Sequence, residues 1–119
     1  MRATIETLLR RNLFEVFGQR DVSLRREVLA EIWHADGMLV NSDGRQVGRV
    51  EISHAIDKLL AKFPEFVFSE RSAPEGFHDV GRIGWGFGPP GQPPYVTGID
   101  VAEITAGKLR LLFAFIDRE

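Results

Sequence analysis

The sequence predicts an α+β fold in which helices come first and a strongly curved antiparallel sheet follows. Three observations predict it. Apolar residues recur at helical spacing as far as Pro64. Beyond Pro64 the period switches to alternation, in runs rich in β-branched and aromatic residues with short connections, which favours a meander. Glycines 81, 84, 86 and 98 fall inside those runs, where they permit bulges and sharp bending. A sheet bent in this way, with helices over its concave side, encloses a pocket. The 119 residues are read as one domain, 1–119, long enough to bury a core.

Taken in order, residues 3–19 read as an amphipathic helix, with Ile5, Leu8, Leu9, Leu13, Val16 and Phe17 on its apolar side. Asp21 or Ser23 caps a second helix from about Leu24 to Trp33. His34-Ala35-Asp36-Gly37 ends that helix with a glycine turn. Met38–Asn41 and Gln46–Gly48 read as a short hairpin about Ser42-Asp43-Gly44-Arg45, an Asp-Gly turn. A third helix runs from about Val50 to Lys62; Ile52, Ile56, Leu59, Leu60 and Phe63 face the core, and Pro64 stops it.

Glu65–Glu70 is then a strand, interrupted by Ser72–Gly76. Phe77–Phe87 is a long strand with Phe77, Ile83, Trp85 and Phe87 on one face and His78, Val80 and Arg82 on the other. Gly88–Pro93 is a loop. The last stretch, Pro94–Asp117, is a hairpin turned by Thr105-Ala106-Gly107-Lys108, with Gly107 free to take φ > 0.

One residue breaks the apolar pattern of that hairpin. Asp100 shares a face with Val96, Ala102 and Ile104, and a carboxylate there needs partners or must hold its proton. Two readings of it stand side by side: a general acid or base with a raised pKa in an apolar pocket, or a structural carboxylate paired with an arginine or a backbone amide. Trp33, Trp85, Ile83 and Phe87 are candidates to line a cavity, although aromatics in such places are more often plain core. Asn41 either meets a ligand or caps its turn.

Composition removes other classes. There is no basic run and the formal net charge is −2, so nucleic acid is not an expected partner. Cysteine is absent, which removes disulfides and thiol chemistry and fits a reducing cytoplasm. No run reaches transmembrane length, and Met1–Glu6 holds no long apolar region of a signal peptide. His34, His54 and His78 are scattered, so no metal site is expected, and no nucleophile elbow or phosphate-binding loop is present. Asp57-Lys58 and Glu15-Gln19 read as solvated helix positions.

The order of Ile32-Trp33-His34-Ala35-Asp36-Gly37, Val47-Gly48-Arg49, Phe77–Trp85, Thr97–Ile104 and Gly107–Asp117 resembles the nuclear-transport-factor-2-like superfamily, in its SnoaL-like and ketosteroid-isomerase-like branch. The resemblance covers nearly the whole chain. It implies a cone-shaped α+β barrel with an interior pocket for a small apolar molecule, no cofactor, and a homodimer formed through the sheet. It implies a pocket lined by Trp33, Asn41, Ile83, Trp85, Phe14, Ala102 and Leu112, with Asp100 as the catalytic candidate. Asp100 resembles the interior aspartic acid of the steroid isomerases. Asn41 falls where those enzymes place the base aspartate, and Leu13 or Phe14 falls near their oxyanion-hole tyrosine, so steroid-type isomerisation is not expected. Other members use an aspartate at the Asp100 position as a base, in ring closure or epoxide hydrolysis. Two function classes stay open: a cofactor-free acid–base enzyme of isomerase or cyclase type, and a non-catalytic binding or dimerisation domain.

Overall fold

The computed structural model describes residues 4–117. The first helix, α1 (Ile5–Arg11), is capped by the Thr4 hydroxyl, which accepts from Thr7 N at 3.1 Å. It continues as a π-helical segment, Asn12–Phe17, closed by Gly18 N donating to Leu13 O. Residue 3, the first of the expected helix, lies outside the described residues. Helix α2 (Val22–Ile32) takes its cap from Asp21, whose carboxylate accepts from Leu24 N, and α3 (Arg49–Lys62) follows the first hairpin. No helix among the described residues is long and apolar enough to cross a membrane.

Six strands form one curved, unclosed sheet: β1 (Trp33–Asn41), β2 (Gly44–Val47), β3 (Val67–Phe77), β4 (Val80–Gly88), β5 (Val96–Thr105) and β6 (Lys108–Ile116). Their spatial order is β2-β1-β6-β5-β4-β3. Strands β3 to β6 are the expected meander. The sheet departs from a purely antiparallel one at a single seam, where β1 runs parallel to β6. A parallel neighbour needs a long crossover, and here everything between β1 and β6 supplies it.

Two boundaries differ from expectation. Helix α2 stops at Ile32 and Trp33 is already extended, so His34–Gly37 is strand rather than a glycine turn. The carbonyls at the end of α2 have other partners. Arg49 donates to Ala30 O and Trp33 O, and Lys108 Nζ donates to Ala30 O. With side chains capping the helix, the chain is free to turn straight into β1, taking up its extra residues in a bulge between Trp33 and Met38. The second boundary is a turn at His78-Asp79, with His78 at φ +54°, that splits the expected long strand in two. Phe77 therefore ends β3, 74% exposed, instead of sharing a face with Ile83, Trp85 and Phe87. Ser72–Gly76 does not interrupt β3; two register shifts absorb the irregularity. At the closing hairpin Ala106 and Gly107 both take positive φ, +50° and +78°, as a tight antiparallel turn demands.

The helices cover one face of the sheet. Leu8, Leu13, Leu29 and Ile56 meet Leu39, Ile83, Leu109 and Leu112 there, all essentially inaccessible. The other face is bare and carries Ile99, Phe113 and Phe115 at 36%, 37% and 61% exposure. Arg25 is an unexpected member of the interior. Wholly buried, it donates to Gln19 O, to Ser53 O and Oγ, and to Asp57 Oδ1 at 2.7 Å, joining α2 to α3. Asp57, its side chain 40% exposed, and the Gln19 backbone therefore anchor a buried arginine from the edge of the interior.

Candidate functional site

Between the helices and the concave face lies a cavity of about 660 Å³, a size suited to a small-molecule ligand. Its walls are aromatic and aliphatic: Phe17, Phe63, Phe68, Trp85 and Phe87, with Leu13, Leu39 and Val96. The π-helical segment supplies Leu13 and Phe17, and the sheet supplies the rest of the aromatic wall apart from Phe63. Phe68 stacks on Phe87 with centroids 4.3 Å apart and meets Trp85 edge-on at 5.8 Å. Phe63 is held at the end of α3 by Arg20, which donates to the carbonyls of Leu60, Phe63 and Phe66.

Asp100 lines this cavity from the middle of β5, 5% exposed. Strand alternation turns it inward with Gly98 and Ala102, while Ile99 points to the bare face. Trp85 Nε1 donates to Asp100 Oδ1 at 2.9 Å, and among the described residues nothing else bonds to the carboxyl. Among the described residues no arginine reaches it; Arg82 faces away and pairs with Glu75. Burial pushes the Asp100 pKa from 3.8 up to about 7, against the smaller opposite pull of the Trp85 bond. Gly98 makes this pair feasible, since a Cβ there would collide with the Trp85 ring. Such a carboxyl is divided between acid and carboxylate near neutrality, the condition under which one group both takes and returns a proton.

Of the other expected pocket residues, Asn41 and Trp85 border the cavity with Asp100. Asn41 also caps its turn, its Oδ1 accepting from Asp43 N at 2.9 Å. Trp33, Ile83, Ala102 and Leu112 lie outside the lining as packed core, each at 1% exposure or less. Trp33 points its indole N–H at Asn12 Oδ1, 2.8 Å away, because β1 begins at that residue and aims it under the first helix. Phe14 is displaced to the surface, 43% exposed, because the π-helical turn puts its neighbours Leu13 and Phe17 on the cavity side.

Several cavity residues escaped notice in the sequence. Phe63, Phe68 and Leu39 carry the same periodicity as core residues, and nothing local separates lining from packing. Among the described residues, buried Asn12 has no partner for its Nδ2 and the buried Gln46 Oε1 has none either. Among the described residues no group of three or more histidine, aspartate or glutamate side chains is placed to hold a metal ion.

Comparison of the whole structure with solved ones places the fold. A proposed isomerase of the SnoaL-like family from Agrobacterium tumefaciens matches with a TM-score of 0.87 at 22% identity, over 94% of this chain and 96% of that one. The chain has the SnoaL-like, NTF2-like fold. A proposed SnoaL-like polyketide cyclase from Jannaschia sp. shares it with a TM-score of 0.71 at 18% identity, over 98% of this chain and 90% of that one. A cystatin-like-fold protein of unknown function from Methylobium petroleophilum scores 0.76 at 14% identity, over 100% of this chain and 79% of its own length. No family model matches the sequence, and no curated protein matches it. The NTF2-like fold accommodates unrelated chemistries, so the site itself has to carry the functional argument.

Proposed function

We propose that this SnoaL-like chain binds a small apolar molecule in its cavity and acts on it as a cofactor-independent acid–base catalyst of isomerase or cyclase type through Asp100. The observation that carries the reading is the position of one carboxyl, buried in an aromatic cavity, bonded among the described residues to Trp85 alone and raised to about 7. As carboxylate, Asp100 takes a proton from an acidic C–H or O–H of the ligand while the indole N–H holds its other oxygen. As acid, it returns that proton to a second ligand atom, and the enzyme ends unchanged. The similar SnoaL-like structures, an isomerase and a cyclase by proposal, support a reaction of this type. A second reading, a binding domain without chemistry, draws on the absence of a second hydrogen-bonding group at Asp100 among the described residues.

A mixed panel of apolar metabolites in D2O, read by mass spectrometry, tests both parts. Retained ligands that gain deuterium with the native chain and not with Asp100→Asn are expected. Retention by both chains without exchange would leave only binding, and no retention would remove the proposal. We also propose that two copies pair through the bare sheet face around Ile99, Phe113 and Phe115. Light scattering should report a dimer that Phe115→Glu converts to monomer.

A further inference from the structure

The mouth of the cavity differs in character from its walls. Helix α3 lays Ala55 and Leu59 against the cavity, with Phe63 just past its end, and one residue round the helix it carries His54, Lys58 and Lys62, spaced four apart along a single stripe. Across the opening, Arg45 of β2 borders the same space. All four side chains belong to exposed residues that also line the cavity, so they stand at its rim.

A purely solvated helix face would place opposite charges at i and i+4. Here Lys58 has Lys62 one turn ahead, a like-charge pair that costs helix stability. Among the described residues neither lysine nor Arg45 has a carboxylate partner. Two carboxylates share the rim. Glu51 is engaged with Val47 N at 3.0 Å, and Asp43 lies in the exposed β1–β2 turn. At the rim, three permanent cations against two carboxylates leave an excess of one positive charge, the buried Asp100 carboxyl lying apart from them, in a chain whose overall charge is −2. That excess matches a single negative charge rather than a dianion.

We propose that the ligand is an aromatic monocarboxylate, its planar body against Phe68, Trp85 and Phe87 and its carboxylate at the mouth between Lys58, Lys62 and Arg45. This rests on the reading of the cavity as a ligand site, and adds the ligand's charge and orientation. The apolar end then lies inward, toward Asp100, and the charged end stays beside water, where desolvation costs least. Rim charges of this kind act on encounter and orientation, and salt weakens them.

The test compares 2-naphthoate with 2-naphthamide, two probes of nearly equal shape, by tryptophan fluorescence and calorimetry at about pH 6, where the acid is ionised. Naphthoate should bind about tenfold more tightly at low salt, an advantage that molar salt removes. In the Lys58→Gln/Lys62→Gln double variant, whose changes are at exposed positions, the advantage should fall to about twofold with naphthamide unaffected. Equal affinities in the native chain, or an advantage that survives both the double variant and Arg45→Gln, would overturn the proposal while leaving the cavity a ligand site. If neither probe binds, the cavity reading falls with it.

Discussion

Among the described residues two ionisable side chains are buried, and they are buried in opposite ways. Arg25 is 0% exposed and surrounded by acceptors: the Gln19 carbonyl, the Ser53 carbonyl and hydroxyl, and the Asp57 carboxylate. Asp100 is 5% exposed, has one donor, and looks into a cavity. The first is a fastening between two helices, and everything it can bond to is already there. The second keeps hydrogen-bonding capacity in reserve. Burial alone therefore does not mark a site in this molecule. What marks it is a buried group that the protein has left incompletely satisfied beside space for something else.

The comparison predicts its largest effect at the fastening. Arg25→Ala leaves four acceptor atoms of three residues without their donor and opens the α2–α3 packing. A loss of about 5 kcal/mol is expected, at the upper end for breaking a buried ionic contact. Urea unfolding should show it equally at acid and neutral pH. A loss below about 1 kcal/mol would mean that water replaces the guanidinium and that the two buried charges are alike after all.

Asp100→Asn should do the reverse. The native carboxyl binds its proton up to about pH 7, whereas the unfolded one releases it near 3.8. Between those values the folded state holds the extra proton, so stability falls as pH rises, and the full penalty is present above about 7. A shift of about three units amounts to about 4 kcal/mol. Asparagine carries no such penalty and still accepts from Trp85. The variant should therefore gain on the native chain by about that amount between pH 4 and pH 8 in paired unfolding curves. A difference that stays flat with pH would show that Asp100 is already satisfied.

Much of this is legible in the sequence alone. The switch from helical to alternating period after Pro64 carries the order of the helices and the meander, and Asp100 is conspicuous because period-two alternation puts it among Val96, Ala102 and Ile104. The parallel seam of β1 with β6 was not legible, since pairing partners far apart in the chain leave no local pattern. The strand conformation of His34–Gly37 is not legible either, because arginine and lysine side chains from α3 and β6 cap α2 in place of the nearby glycine. The network of Arg25 was hidden for a related reason: an arginine on a helix reads as solvent-facing unless its distant partners are known. The cavity lining was the least legible, because Phe68 or Leu39 beside a void has the same neighbours in sequence as Ile83 or Leu112 beside none.

Trp85→Phe sharpens the view of Asp100 as a group with a single support. The indole N–H stabilises the charged form, so its loss should raise the Asp100 pKa further. Carbon-13 NMR of the labelled carboxyl reads this directly. No upward movement would assign the support to a group other than Trp85.

The smallest effect is expected from Asp57→Asn, and it bears most closely on what kind of fastening Arg25 is. Asp57 is the only charged partner of Arg25 among the described residues, and at 2.7 Å it makes the shortest of its contacts. Its side chain, however, is 40% exposed, so water screens the attraction. Asparagine preserves an acceptor oxygen at the same place, and the bonds to Gln19 and Ser53 do not change. A loss of about 0.5–1 kcal/mol follows, a small fraction of that for Arg25→Ala. That ratio, measured by unfolding the two variants under one set of conditions, separates two pictures. A small loss means the guanidinium is buried mainly by neutral acceptors, which take its five N–H groups out of water in a fixed geometry. A loss approaching that of Arg25→Ala would mean the ion pair itself carries the contact, and the contrast with Asp100 would then lie in the presence of a counter-charge and not in the number of hydrogen bonds.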